Sequence, residues 1–146
     1  MRTFLLFGFI LLFQISYAQP AFFTKEACYE KFSNVETSQC LSEKTIQAKK
    51  YLEKEFDMLH KKVIKKLNST GEEETIEKMV LNTYATNLPK LKTGMIENAF
   101  LYAEIMSASS MDGTGHLIFQ NEFYLDELKK VYDYLQQLKK EVIHEE

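Results

Sequence analysis

The segment LSEKTIQAKKYLEKEFDMLHKKVIKKL, residues 41–67, decides the fold. Leu52, Phe56, Leu59, Val63 and Leu67 recur every three or four positions, so a helix of period 3.6 gathers them on one face. The positions between them are dense in Lys and Glu, among them Glu53, Lys54, Asp57 and Lys61, which is the composition of a solvated face. Tyr51 and Met58 flank the stripe. A helix with one apolar face is stable only against other apolar faces, so the rest of the chain must supply them.

Downstream, Asn68-Ser69-Thr70-Gly71 reads as the helix end, and its first three residues also form an N-glycosylation sequon. Ser69 or Thr70 is expected to cap a second helix from about Glu72, with Glu72, Glu73 and Glu74 as first-turn charge and Ile76, Met79, Val80 and Tyr84 as its apolar side. Pro89 either splits that helix from the next or bends one long helix. Leu91, Met95, Ile96, Ala99, Phe100, Ala103 and Met106 then give a broad apolar side, with Gly94 weakening the interior. Ser107 to Gly115 reads as a polar turn, and Leu117-Ile118-Phe119 as a segment packing across the mouth of a bundle. The last helix is predicted from about Glu122 to Ile143, burying Leu125, Leu128, Val131 or Tyr132, Leu135, Leu138 and Val142, with His144 to Glu146 frayed. Upstream, Phe22 and Phe23 are placed to tuck against the body. Thr24 is placed to cap a short helix reaching Phe32, and residues 33–38 to form a turn before the long helix. No segment alternates with period two. The fold class is all-α, a small antiparallel helical bundle of three to four helices with one disulfide, in a single domain over 19–146.

Arg2, the apolar run from Phe4 to Phe13 and the small-x-small end Ser16-Tyr17-Ala18 read as a secretory signal peptide over residues 1–18. An uncleaved anchor is the alternative, but the run falls short of the roughly 18 apolar residues of a spanning helix, so no stable membrane insertion is expected after cleavage. Export makes one disulfide between Cys28 and Cys40 the simplest use of two cysteines. Redox pairs typically keep two residues between their cysteines, and here there are eleven. Without Arg2, 17 basic residues face 21 acidic ones. That mild acidity is unlike the basic footprint of a nucleic-acid binder; it fits a basic protein partner, and equally an ordinary solvated surface.

The residues that carry chemistry are scattered. His60, His116 and His144 share no metal-ligand spacing, so neither a metal site nor a cofactor is expected, and no catalytic motif is assembled. Glu97 and Glu104, seven apart, could line a groove and would be needed for a carboxylate hydrolase; two surface glutamates satisfy the same spacing. Ser107, Ser109 and Ser110 sit in no nucleophile-elbow pattern. Tyr84, Tyr102, Tyr124, Tyr132 and Tyr134 suit either protein contact or the boundary of a small bundle. The reading is therefore a non-enzymatic binding protein, with a carrier enclosing an apolar ligand among Met95, Phe100, Met106 and Phe119 as the alternative and a hydrolase as the third.

Cys28, Thr37, Cys40, Ala48, Leu52 and Phe56 resemble, in order and spacing, the pattern of the LprI-type lysozyme inhibitor family of small exported bacterial proteins. Lys49 and Glu53 stand where that family has Asp and Asn. Leu91 to Met106, Asp112-Gly113-Thr114 and Tyr124 to Leu138 are similar to its later elements, without their cysteines, tryptophan or arginine. The resemblance implies a helical domain in the bacterial periplasm or at the cell surface, with inhibition of a lysozyme assigned to some relatives. A basic cleft would be met by an acidic element, for which Glu72, Glu73, Glu74 and Asp112 are the candidates; helix-start preference and a turn acid explain them as well.

Overall fold

Three long helices follow a short N-terminal segment in the computed structural model, which describes residues 19–31, 33–71, 73–108 and 113–143. A 3-10 turn, Ala21–Phe23, leads to α1 (Glu26–Tyr29), α2 (Asn34–Ser69), α3 (Ile76–Ser107) and α4 (Thr114–Ile143), and the described residues contain no strand. The expected signal peptide, and with it Phe32, Glu72, Ser109, Ser110, Asp112 and His144, lies outside the described residues.

Ion pairs and ring contacts fix the helix directions. Lys66 pairs with Glu77 at 3.2 Å and Lys92 with Asp57 at 2.7 Å, so α2 and α3 run antiparallel. Tyr51 packs on Tyr132, Thr45 reaches Asn121 and Lys139 pairs with Glu55, so α4 returns parallel to α2. The result is an all-α, up-down-up bundle. Its core is the two stripes legible in the sequence, Leu52, Phe56, Leu59 and Val63 of α2 with Leu125, Leu128, Leu135 and Leu138 of α4, closed by Leu81, Leu88, Ile96 and Ala99 of α3.

Helix starts differ from the sequence expectation in each case. The long helix begins at Asn34 rather than after a turn over residues 33–38, because Ser33 caps it: its hydroxyl accepts from the Glu36 amide at 3.2 Å and donates to the Glu36 carboxylate. Cys40 therefore sits inside α2, and Thr37 and Ser38, expected in a turn, are buried helix residues. The next helix starts at Ile76, capped by Thr75, whose hydroxyl accepts from the Lys78 amide. Ser69 and Thr70 instead donate back to Lys66 O and Leu67 O and close α2. Glu73 and Glu74 thus precede the cap, and Glu77 is the first-turn acid. Gly113, at φ +79, turns the chain straight into α4, so Leu117, Ile118 and Phe119 belong to that helix rather than lying across the bundle mouth. Thr24 does not cap α1. Its hydroxyl donates to Ala21 O, and Lys25 holds the cap position without a side-chain capping bond.

Within α3 the buried line runs through Leu81 and Leu88, with Tyr84 and Ala85 beside them, and leaves Ile76, Met79 and Val80 exposed. The helix continues through Pro89. Proline has no N–H to give the carbonyl four residues back, which orphans Ala85 O. His60 of α2 supplies the missing donor, its Nε2 lying 2.9 Å from that oxygen. His116 does the same at the helix end, with Nδ1 at 2.9 Å from Ser107 O, one of the last carbonyls of α3. Both histidines are thereby bound to backbone that the helix itself leaves unpaired.

A double-mutant cycle tests this role. His60→Ala is expected to cost about 1 to 3 kcal/mol in urea unfolding, the penalty of a carbonyl left without its donor. Most of that cost should disappear in a Pro89→Ala background, where the restored amide reaches Ala85 O. Equal costs in both backgrounds would reduce His60 to a packing residue.

The N-terminal segment is held at three points. Cys28, fully buried, is bonded to Cys40 across a Cα separation of 5.5 Å. Phe22 packs on Tyr51 and Phe23 on Tyr132, with ring centroids 5.2 and 5.3 Å apart, as the sequence led one to expect. Lys25 pairs with Asp126 at 2.8 Å and Glu122 at 3.3 Å. Burial works against the charge of Lys25, yet the two carboxylates hold its pKa above the ordinary lysine value.

Candidate binding groove

The inner line of α3 changes character along its length, from Leu81 and Leu88 near the α2–α3 link to Ala99, Ala103 and Ser107 at the far end, all buried. Small side chains let α3 lie close on α4, where Phe100 meets Tyr124 edge-on at 5.3 Å and His116 reaches Ser107. The pairings of α2 with α3 described above lie toward the other end, at Asp57, His60 and Lys66. Between α2 and α3, beyond those pairings, opens a groove of about 440 Å³.

Its apolar surface comes from three helices: Ile46 of α2, Ile96 and Phe100 of α3, and Tyr124 of α4. Ile46 and Phe100 are exposed, whereas Ile96 and Tyr124 are set deeper. Polar groups line one side. The buried Thr45 hydroxyl lies 2.6 Å from Leu41 O and 3.1 Å from Asn121 Oδ1, and Asn121 donates its amide to Leu117 O. These groups are satisfied within the protein and hold Asn121 in place. The rim carries Lys49 and Glu97, and Glu53 stands 4.0 Å from Lys49. Burial and the Glu53 carboxylate push the Tyr124 phenol above its ordinary pKa, so it stays neutral as a hydrogen-bonding tip on an apolar ring.

The sequence candidates are distributed differently. Glu73 and Glu74 are exposed in the α2–α3 link, about 35 Å along the bundle from Ile46 at 1.5 Å per residue. Glu74 borders a separate shallow pocket there with Lys78 and Asn68. Glu97 and Glu104 are both exposed, and Glu97 alone of the two lines the groove. Of the residues suggested for an enclosed ligand, Phe100 lines this groove, Met95 packs against the core, Phe119 borders another pocket beside Tyr29 and Thr37, and Met106 is exposed. They do not meet around one cavity. Tyr132 is buried in the core, while Tyr102 and Tyr134 face solvent, with Lys130 Nζ 5.7 Å above the Tyr102 ring. Among the described residues no group of three or more His, Cys, Asp or Glu is placed to hold a metal ion, and no helix is long and apolar enough to cross a membrane.

The groove itself could not be read from the sequence, since Ile46, Phe100 and Tyr124 become neighbours only when three helices meet. Compared with protein-family models, curated proteins and solved structures, the chain matches none.

Proposed function

We propose that this chain is an exported, non-enzymatic binding protein whose groove between α2 and α3 takes an apolar side chain of a basic protein partner. The observation that carries the reading is the composition of that groove: Ile46, Ile96, Phe100 and Tyr124 offer an apolar seat, with the Glu97 carboxylate on its rim and the Lys49–Glu53 pair beside it. Aromatic seats ringed by charge are what protein interfaces use, because the ring supplies area and the rim supplies orientation. The disulfide is compatible with export. The narrower form of the proposal follows the resemblance of residues 28–56: the partner is a lysozyme, and binding in the groove inhibits it.

The test is a titration of residues 19–146 into a lysozyme, reading muramidase rate and complex formation together. Inhibition is expected at saturation, with Phe100→Ala or Glu97→Lys weakening it at least about tenfold, as removing a central anchor or reversing an orienting charge does. Both positions are exposed, so the variants should keep the helical spectrum of the parent. No complex and no change in rate would sink the lysozyme form. Inhibition untouched by both substitutions would sink the groove as its site.

A further inference from the structure

The outward line of α3 is a second surface, separate from the groove. Two apolar groups mark its ends: Ile76 with Val80 at the start and Leu101 with Ile105 at the finish, all exposed, Ile76 to 82% and Ile105 to 63%. Between them the line carries small polar residues, Thr83, Asn87 and Asn98, with Gly94. Lys90 supplies a single charge near its middle. The outer side of α2, by contrast, is crowded with Lys and Glu.

We propose that this line is the interface of a homodimer, α3 packing antiparallel on α3 of a second copy about a two-fold axis between residues 90 and 91. The pattern is self-complementary about that point, as an isologous interface requires. Ile76 is as far from it as Ile105, Val80 as Leu101, Thr83 as Asn98, and Asn87 as Gly94. Under the two-fold, apolar residues therefore meet apolar ones and small polar residues meet small ones. Spacings of three, four and seven keep these residues on one line of the helix.

The polar middle is ready to be covered. The Thr83 hydroxyl donates to Met79 O and one N–H of the Asn87 amide to Thr83 O, each at 2.9 Å, so both groups keep a partner when another helix covers them. A Cβ built on Gly94 meets nothing within 4 Å, which leaves a low point on the surface where the facing Asn87 can sit.

The self-complementary pattern selects a second copy as the occupant. Two such lines meet with only Lys90 of each copy near the axis, and its stem can carry the ammonium to the edge. A lipid surface would call for basic residues flanking the apolar ones, and the line lacks them. Antiparallel packing also opposes the two helix dipoles favourably. The contact runs for about 45 Å and engages about 16 residues a side, fewer than the roughly 20 to 30 of a standard interface. A weak dimer in equilibrium with monomer follows.

Sedimentation equilibrium of residues 19–146, which contain every helix described, tests the proposal from about 10 μM to about 1 mM. A monomer–dimer equilibrium is expected, with Val80→Lys alone and Leu101→Glu alone each weakening it at least about tenfold. Mixing the two variants should restore association, because one of the two symmetric contacts then pairs the new lysine with the new glutamate while the other stays native. A protein that remains monomeric at the highest concentration, with or without lipid vesicles present, overturns the proposal. So does a dimer that neither substitution weakens, or a mixture that associates no better than its components.

Discussion

Phe56→Ala is expected to lower the unfolding free energy by about 3 to 5 kcal/mol, the usual cost of emptying a buried aromatic site. Phe56 is 1% exposed and lies at the middle of the α2 stripe, among the largest fully buried side chains. Its removal takes a ring from the layer where α2, α3 and α4 converge, and helices more than thirty residues long, or nearly so, have little freedom to close on the void. For a domain whose total stability is about 5 to 15 kcal/mol, that is about a fifth of the whole or more. Met58→Ala, two residues on and on the exposed flank, is the control, and should stay within about 0.5 kcal/mol. Urea midpoints at unchanged slope measure both. A Phe56→Ala cost below about 1 kcal/mol would mean that the stripe read from the sequence is not the one that organises the core.

The contrast between these two positions shows why the fold class was legible and some of its details were not. In α2 and α4 one apolar stripe stands out against faces dense in charge, so period picks the buried side: Leu52, Phe56, Leu59 and Val63 are buried, as are Leu125, Leu128, Leu135 and Leu138, while apolar residues off the stripe such as Ile46 and Leu117 stay exposed. In α3 apolar residues occur all round the helix. Ile76, Met79, Val80, Leu101 and Ile105 are as apolar as Leu81 and Leu88, and only packing against α2 and α4 decides which set goes inside. The start of α2 was hidden for a different reason. Residues 33–38 are polar enough to pass for a turn, although Ser33 with Glu36 is a capping-box spacing that signals a helix start.

The candidate site was less legible still. The spacing of Glu97 and Glu104 suits a groove or a plain surface alike, and the groove's other residues Ile46 and Tyr124 lie far from Glu97 in sequence. The acidic candidates Glu72, Glu73, Glu74 and Asp112 rest on local charge, and local charge does not report which end of a bundle opens. The histidines carried a usable signal that spacing rules overlook: a proline inside a helix must orphan a carbonyl, so a donor is required opposite it. Which donor is a tertiary fact, and it proved to be His60.

Replacing both cysteines by alanine is expected to cost about 2 to 4 kcal/mol and to release the N-terminal segment. The first effect is the ordinary one: a bond spanning 12 positions restricts the unfolded chain, and by the chain-entropy estimate a loop this short contributes about 2 to 3 kcal/mol. The second depends on this structure. A four-residue helix has no stability of its own, so α1 is held by what surrounds it. On one side that is the disulfide into the second turn of α2; on the other, Phe22 and Phe23 on Tyr51 and Tyr132, and Lys25 on Asp126 and Glu122. The ion pairs are half exposed on the acid side and contribute little alone. Amide exchange separates the two effects. A loss of about 3 kcal/mol slows nothing and speeds globally exchanging amides of α2 and α4 by roughly a hundredfold, at 1.4 kcal/mol per factor of ten. If the bond also anchors the segment, the α1 amides should lose protection beyond that factor while the core of α4 does not. Phe23→Ala with the disulfide intact completes the argument: it should loosen the turn at Ala21–Phe23 yet leave α1 protected. Full protection of α1 in the cysteine-free protein would assign the docking to the aromatic contacts, and an unchanged unfolding midpoint would show that the bond constrains nothing the helices do not already hold.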